Sequence, residues 1–535
     1  MRTYGYWVYR YRNIYFAHCH CSFFASLGSV GSLMLSSLRY PDAITNLKQE
    51  LGEKLDKWKD YGSIESNEDH VTISTIRPRY GDLKALYIYE VDLDHNIFHI
   101  NGIPFFDLEC LPSEENLLEY VQYDKNEDEN LCFVPEPPPE HKYKMPPPPT
   151  VADSDLAMYQ SSACTGTHMA LSDLLAAGDI LSPIEQVRTS LFETVVRQCM
   201  ANEYIVPIFY RIQLANDHNP RLRDDEWSVA CSIANIVFAP QIFDERSRFI
   251  YSSQPNETGF TWVRKDTVLC IATRLDDERC LQASMSRLIN AILEQKDDPG
   301  DYFGVAFSIH HCAIIKVVKG EEAMTFSYTD ALQFLPSYYG DSPCTPGIAA
   351  LARLADRVDP TPSVRASNIS HQRRATMYYK RRNDRKGLIA QGADNTPPHN
   401  FSCPALPPEL WQNIALHLHV RDLITFGLVS RGCREVAWMF LRYPHVCGYR
   451  LVGVPEEKPR CLLRTRPFLR PAIFSAVQAG VPATVLVGFC LTRTKGSSWV
   501  DVPLSEYRYR HQLRVPFAAR NTRKPHCFCY FCEEE

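Results

Sequence analysis

The sequence contains no glycine-rich phosphate loop, no GxSxG nucleophile elbow and no HExxH metal motif, so phosphate-loop, serine-hydrolase and zincin chemistry have no starting point in it. It has no internal repeat, which excludes a propeller or a leucine-rich solenoid. Its cysteines have no regular spacing. All 19, an odd number, read as reduced thiols of the cytoplasm or nucleus rather than a disulfide framework. Clean leader and membrane segments are also missing. From Asn13 to Leu38 there is no charged side chain, and Arg2, Arg10 and Arg12 come before it, but His18, His20 and repeated Ser and Gly break any apolar centre. The run Pro471 to Thr492 has the length of a bilayer span, yet Gln478 and Pro482 interrupt it and basic residues flank both ends. We expect a buried or poorly packed soluble segment there.

What is present is a globular composition, 45% hydrophobic and 22% charged, so disorder is confined to segments. At about 150 residues per domain, three or four units are expected. The net charge of -6 names no partner, but its distribution is uneven. Phe106 to Asn130 holds nine carboxylates and one Lys, whereas Cys447 to Glu535 holds 14 Lys or Arg against 7 acids.

Along the chain, the aromatic opening alternates around Tyr11-Arg12-Asn13 and predicts a hairpin. From Asp42, the three- and four-residue steps of Ile44, Leu47, Leu51 and Leu55 predict an amphipathic helix. Leu86 to Leu108 alternates again and predicts three strands, with turns at Asp94 to Asn96 and at Asn101-Gly102. Asp92 and Asp94 lie at the first of these turns and are expected to face solvent. The proline run from Pro135 to Thr150 reads as a spacer. Farther on, Ser182, Pro183 and Glu185 form a capping-box start for a helix that carries Val187, Leu191 and Val195 on one face. A strand or strand pair, a helix through Leu281, Met285, Leu288 and Ile292, and a further strand pair complete an α+β layer. Arg365 to Lys386 carries eight basic residues against Asp384 alone, without apolar period, and reads as a solvated linker.

Leu406 to Ala437 has a different texture. Pro407 suits a first helical turn, Glu409 the positive end of the helix dipole, and Leu410, Trp411, Ile414 and Leu418 share a face. Asp422 opens a second short helix with Leu423, Phe426 and Val429, and Ser430 caps a third through Cys433, Val436, Ala437 and Phe440. Three helices in so short a stretch cannot bury all their apolar surface alone.

The positions Leu406-Pro407, Glu409-Leu410, Ile414, Leu418, Asp422-Leu423, Val429-Ser430-Arg431 and Arg434 resemble an F-box in order and spacing. Cys433, where the family often has Trp, and Gly427, a weak helix former, depart from it. The resemblance implies docking of a Skp-type adaptor and, through it, a cullin, in a ubiquitin ligase whose chemistry belongs to other subunits. On that footing Leu406, Pro407, Leu410, Ile414, Leu418, Leu423 and Val429 form the module's core and its adaptor-binding face. The N-terminal hairpins also resemble uncharacterised fungal proteins that carry F-boxes.

Rival chemistries are weaker. His310 and Cys312 share a strand face and would be the nearest thing to a base and thiol nucleophile, but an apolar strand pair favours structural residues. In the tail, His526, Cys527, Cys529 and Cys532 supply one metal knuckle where structural zinc sites usually use two. The basic segments with Tyr378 and Tyr379 are the material for a nucleic-acid reading, but they lie in linker and tail.

The sequence therefore predicts an α+β fold: an N-terminal region 1–134, a proline-rich linker 135–151, a second α+β region 152–362, a basic linker 363–403, an F-box 404–446 and a basic tail 447–535. A non-catalytic receptor is expected, with no cofactor, no assigned metal and no catalytic residues. It would bind the adaptor through the F-box and a protein target through the N-terminal region, in the cytoplasm or nucleus, without membrane or nucleic-acid partners.

Overall fold

The computed structural model describes residues 3–22, 31–40, 42–61, 71–75, 77, 87–113, 116, 120, 137–163, 166–202, 204–217, 222–238, 241–243, 259–296, 298–321, 324–336, 345–356, 406–455, 471–488, 498–503 and 512–520. The basic linker and the tail's Cys cluster lie outside them. The architecture is α+β, in two compact units.

The first unit comprises Met1–Ala152, Met200–Arg221 and Ala272–Cys280. Its sheet begins with β1 (Thr3–Tyr11) and β2 (Ile14–Ser22), the predicted aromatic hairpin, whose turn residues Arg12 and Asn13 both take positive φ. β3 (Val71–Ser74), β4 (Tyr87–Asp92), β5 (Ile97–Ile100) and β6 (Ile103–Asp107) complete the order β3-β2-β1-β4-β5-β6, with β1 and β4 parallel and the rest antiparallel. Strand alternation gives this sheet two unlike faces. One buries Phe16, Tyr89, Val91, Phe98 and Ile100 with Met34, Leu35, Leu51 and Leu55 from the helices Ser32–Leu38 and Ala43–Tyr61. On the other, Val8, Ala17 and Ile88 adjoin buried charged groups. The Asn101-Gly102 turn has positive φ at both residues, as expected, and a Cβ on Gly102 would stand 3.2 Å from Pro207 at the start of the helix Val206–Gln213.

The proline-rich segment, expected as a spacer, runs beside β6 instead. Lys142 forms a bridge with Phe106, the Asp107 amide donates to the His141 carbonyl at 3.0 Å, and Arg274 Nη1 donates to the Pro146 carbonyl at 2.6 Å. In these two bonds the run accepts through its carbonyls, which prolines keep, while the non-proline Tyr143 donates its amide to the Phe105 carbonyl at 3.4 Å.

The second unit comprises Asp153–Cys199, Leu222–Ile271 and Leu281–Glu535. Its first sheet contains β7 (Gly166–His168), β9 (Phe260–Trp262), β10 (Thr267–Ile271), β11 (Gly300–Phe307), β12 (His311–Lys319), β13 (Met324–Tyr328) and β14 (Leu332–Gln333), in the order β7-β13-β12-β11-β10-β9 with β14 beside β12. The predicted capping box opens the helix Pro183–Met200: the Ser182 amide donates to Glu185 Oε2 at 2.7 Å, and the Glu185 amide to Ser182 Oγ at 3.3 Å. Phe192 of that helix packs edge-on against Phe334, which in turn meets Phe307 of β11 at 4.8 Å.

Another sheet of this unit holds β8 (Ile242–Phe243), β15 (His445–Val446), β16 (Tyr449–Gly453), β17 (Ala472–Gln478), β18 (Val481–Val487), β19 (Ser498–Pro503) and β20 (Gln512–Arg520), in the order β19-β20-β18-β17-β16-β15-β8. The apolar run after Arg470 is thus the β17–β18 hairpin, turned at Ala479 and Gly480, both with positive φ. Among the described residues, no helix is long and apolar enough to cross a membrane.

Candidate functional site

Three short helices, Pro408–His417, Val420–Phe426 and Arg431–Leu441, follow the basic linker. Pro407 is the cap residue and Pro408 the first helical one, one place later than the sequence suggests. The second helix starts two residues ahead of Asp422, capped by His419, with Asp422 in its first turn. Ser430 caps the third helix as expected, its Oγ accepting from the Cys433 amide at 3.1 Å. Gly427 lies just past the second helix rather than within it, and its missing Cβ would stand 3.2 Å from Cβ of Ala437. It serves a close helix approach, so the expected propensity penalty does not apply.

The core of the module is Ala415, Val420, Leu423, Ile424, Val436, Ala437 and Leu441, flanked by Trp411, Leu418, Phe426, Trp438 and Phe440. Trp411 and Phe426 rings meet at 5.5 Å. Burial sorts the seven residues singled out from sequence. Leu423 is 2% exposed and belongs to the core; Leu418 and Leu406 are half-buried, and Pro407 is exposed. Leu410, Ile414 and Val429 are 47%, 41% and 60% exposed, large apolar side chains left open to solvent. Leu410 and Ile414 sit one turn apart on one helix face. Leu428 and Met439 are also exposed, and sequence reasoning missed them. Met439 falls off the period of Val436, Ala437 and Phe440, which was itself a signal of an outward-facing position.

The module is built into the second unit. Ile242 of β8 joins its core, β15 pairs parallel with β8, and the His445 amide donates to the Gln241 carbonyl at 2.8 Å. Arg188, buried in the helix Pro183–Met200, donates to the carbonyls of Val237 at 2.5 Å and Arg442 at 3.2 Å. Burial lowers its guanidinium to about 10. Arg442 pairs with Asp356 at 3.0 Å, and Arg450 lies over the Phe440 ring at 4.5 Å. His417 Nδ1 lies 3.3 Å from the Ala479 carbonyl, where a Cβ on Gly480 would clash with the imidazole.

The rival sites take a different shape from the module. Cys312 is fully buried on β12, its Sγ lies 3.6 Å from the Gly347 carbonyl, and burial pushes the thiol up to about 12, so it is neutral at physiological pH. His310 precedes the strand. Asp92, expected in solvent, is buried: Arg10 Nη1 stands 2.7 Å and His95 Nδ1 2.9 Å from its Oδ2. Burial alone would raise this carboxyl, but the hydrogen bond from His95, the polar approach of His99 and the charge of Arg10 outweigh it and hold Asp92 well below the usual carboxylate range. Glu90 is buried likewise, against Arg77 at 2.7 Å, and burial followed by the charge of Arg77 keeps His99 below the ordinary imidazole range.

Comparison with curated proteins and with solved structures found no match to this chain. The family comparison agrees with the geometry: residues 404–445, the three helices and the start of β15, match the F-box domain, and the chain carries that domain near its C-terminus.

Proposed function

We propose that this chain is a substrate-recruiting subunit of a Skp-cullin-F-box ubiquitin ligase. F-box domains in general bind Skp-type adaptors, and the chain holds one with exposed Leu410, Ile414 and Val429 over a complete small core. Those uncovered side chains are the observation that carries the reading, since covering the half of each that is still open to water gains on the order of 1 kcal/mol apiece. The adaptor contacts these three together with Pro407 and the half-buried Leu406, while Leu418 and Leu423 support them from within. Bond chemistry then falls to other subunits, and this chain supplies proximity by holding a protein target beside them.

The N-terminal α+β regions take the target. Because the F-box shares a core residue, a strand ladder and the Arg188 contacts with its own unit, adaptor docking orients that unit directly and without a free tether. The buried thiols Cys199, Cys270 and Cys312, none of them in a disulfide, accord with a reducing cytoplasm or nucleus. Affinity capture of the full chain, compared with a Leu410→Glu, Ile414→Glu variant, tests the proposal. Adaptor and cullin should disappear from the variant while targets persist; unchanged recovery of the adaptor would refute it.

A further inference from the structure

In the first unit, Glu90 and His99 are direct cross-strand partners on β4 and β5, and Asp92 lies two residues along β4 on the same face. One oxygen or nitrogen from each of the three lies within 4.8 Å of the others, and Glu90, Asp92 and His99 are each 1% exposed as residues. Arg77 holds Glu90 through Oε2 at 2.7 Å, leaving Oε1 buried with no hydrogen-bond partner. Neither ring nitrogen of His99 has a partner within 3.5 Å; Nε2 faces Asp92 Oδ2 at 3.7 Å, a longer polar contact that helps to hold that carboxyl low. Asp92 is fixed by Arg10 and His95 at Oδ2 and by the amides of Asp94 and His95 at Oδ1. Buried polar groups left unpartnered in this way are costly, and two of them, Glu90 Oε1 and a ring nitrogen of His99, lie beside the Asp92 carboxylate.

We propose that Glu90, Asp92 and His99 form a buried site for a first-row divalent cation of the Mn2+ to Zn2+ class. Two carboxylates with one imidazole suit such ions better than Ca2+, which takes oxygen donors, or Cu+, which takes soft sulfur donors. Glu90 Oε1 and a His99 nitrogen supply the unused lone pairs and Asp92 the third ligand. Arg77 donates to Glu90 Oε2 and Arg10 to Asp92 Oδ2, the kind of outer hydrogen bond that orients carboxylate ligands in metal sites. The local charge permits it: Asp94 Oδ2 stands 3.4 Å from Arg10 Nε, so three carboxylates face two guanidiniums, and one negative charge remains for a cation to reverse.

The site is independent of adaptor docking, and its failure would leave that reading untouched. The test uses the full chain with Cys527, Cys529 and Cys532 replaced by Ser, so that tail thiolates bind no metal. After chelator dialysis, Mn2+ and Zn2+ are titrated by calorimetry and by thermal unfolding. One equivalent should bind and raise the melting temperature, with affinity lowered at least about tenfold in Glu90→Gln and in His99→Gln. Binding of neither ion to the parent chain, with no thermal shift, would overturn the proposal and assign the space to water only. So would metal binding that both variants retain unchanged. The parent titration does not depend on whether the variants fold.

Discussion

Arg442, just past the third helix of the F-box, holds Asp356 of the helix Pro346–Asp356 at 3.0 Å across 86 residues of sequence. The Arg442 carbonyl meanwhile accepts from buried Arg188. One residue thus ties the F-box to two helices of its unit, and the F-box behaves as part of that unit.

These contacts are unequal. The Arg442–Asp356 pair is partly solvated, so Arg442→Ala should cost about 1 kcal/mol or less. Arg188→Ala removes a charged donor and strands two carbonyls, and should cost about 1.5 to 3 kcal/mol. Denaturant unfolding of the two variants gives the comparison directly.

Core and face separate by the same means. Leu423→Ala empties a site 2% exposed and should lower stability by about 2 to 5 kcal/mol. Leu410→Glu, at a position 47% exposed, should change it by about 0.5 kcal/mol or less.

His445 sets a pH dependence. Burial, then the charge of Arg450, lowers its imidazole from 6.5 to about 4. The unfolded chain therefore takes up the proton first as pH falls, so the stability due to the neutral ring is complete above about pH 6.5 and lost on descending towards pH 4. That loss amounts to about 3 kcal/mol at most. The stability difference between the parent and His445→Gln should be flat above pH 6.5 and shrink below it; a flat difference throughout would contradict the assignment.

Gly480 has φ +82 and packs on His417. Gly480→Ala would add backbone strain and a clash at the hairpin turn, with an expected loss of about 1 to 3 kcal/mol in thermal or chemical unfolding.

Much of this was legible where local signals agreed with one another. Ser182 with Glu185, Asn101 with Gly102 and the joint F-box positions each specify a local geometry that tertiary packing left unchanged. Other features depend on partners distant in sequence. Asp92 reads as a solvated turn residue until Arg10, 82 positions away, arrives beside it on the parallel strand. The two-residue ladder of β8 with β15 is too short to leave a periodic trace. The apolar run after Arg470 carries no period that separates helix from strand, and its turn was hidden because Ala479 gives no hint of positive φ.

Because the F-box shares its core with Ile242, deleting it would disturb the unit that carries it, and point substitutions on the exposed face are the sharper instrument. The most direct measurement is the equilibrium affinity of the full chain for a purified Skp-type adaptor, against that of the Leu410→Glu, Ile414→Glu variant, with both unfolding midpoints recorded. The account predicts binding by the parent and a loss of at least about tenfold in a variant of unchanged stability. Equal affinity of the two folded proteins, or no binding by the folded parent, would contradict it.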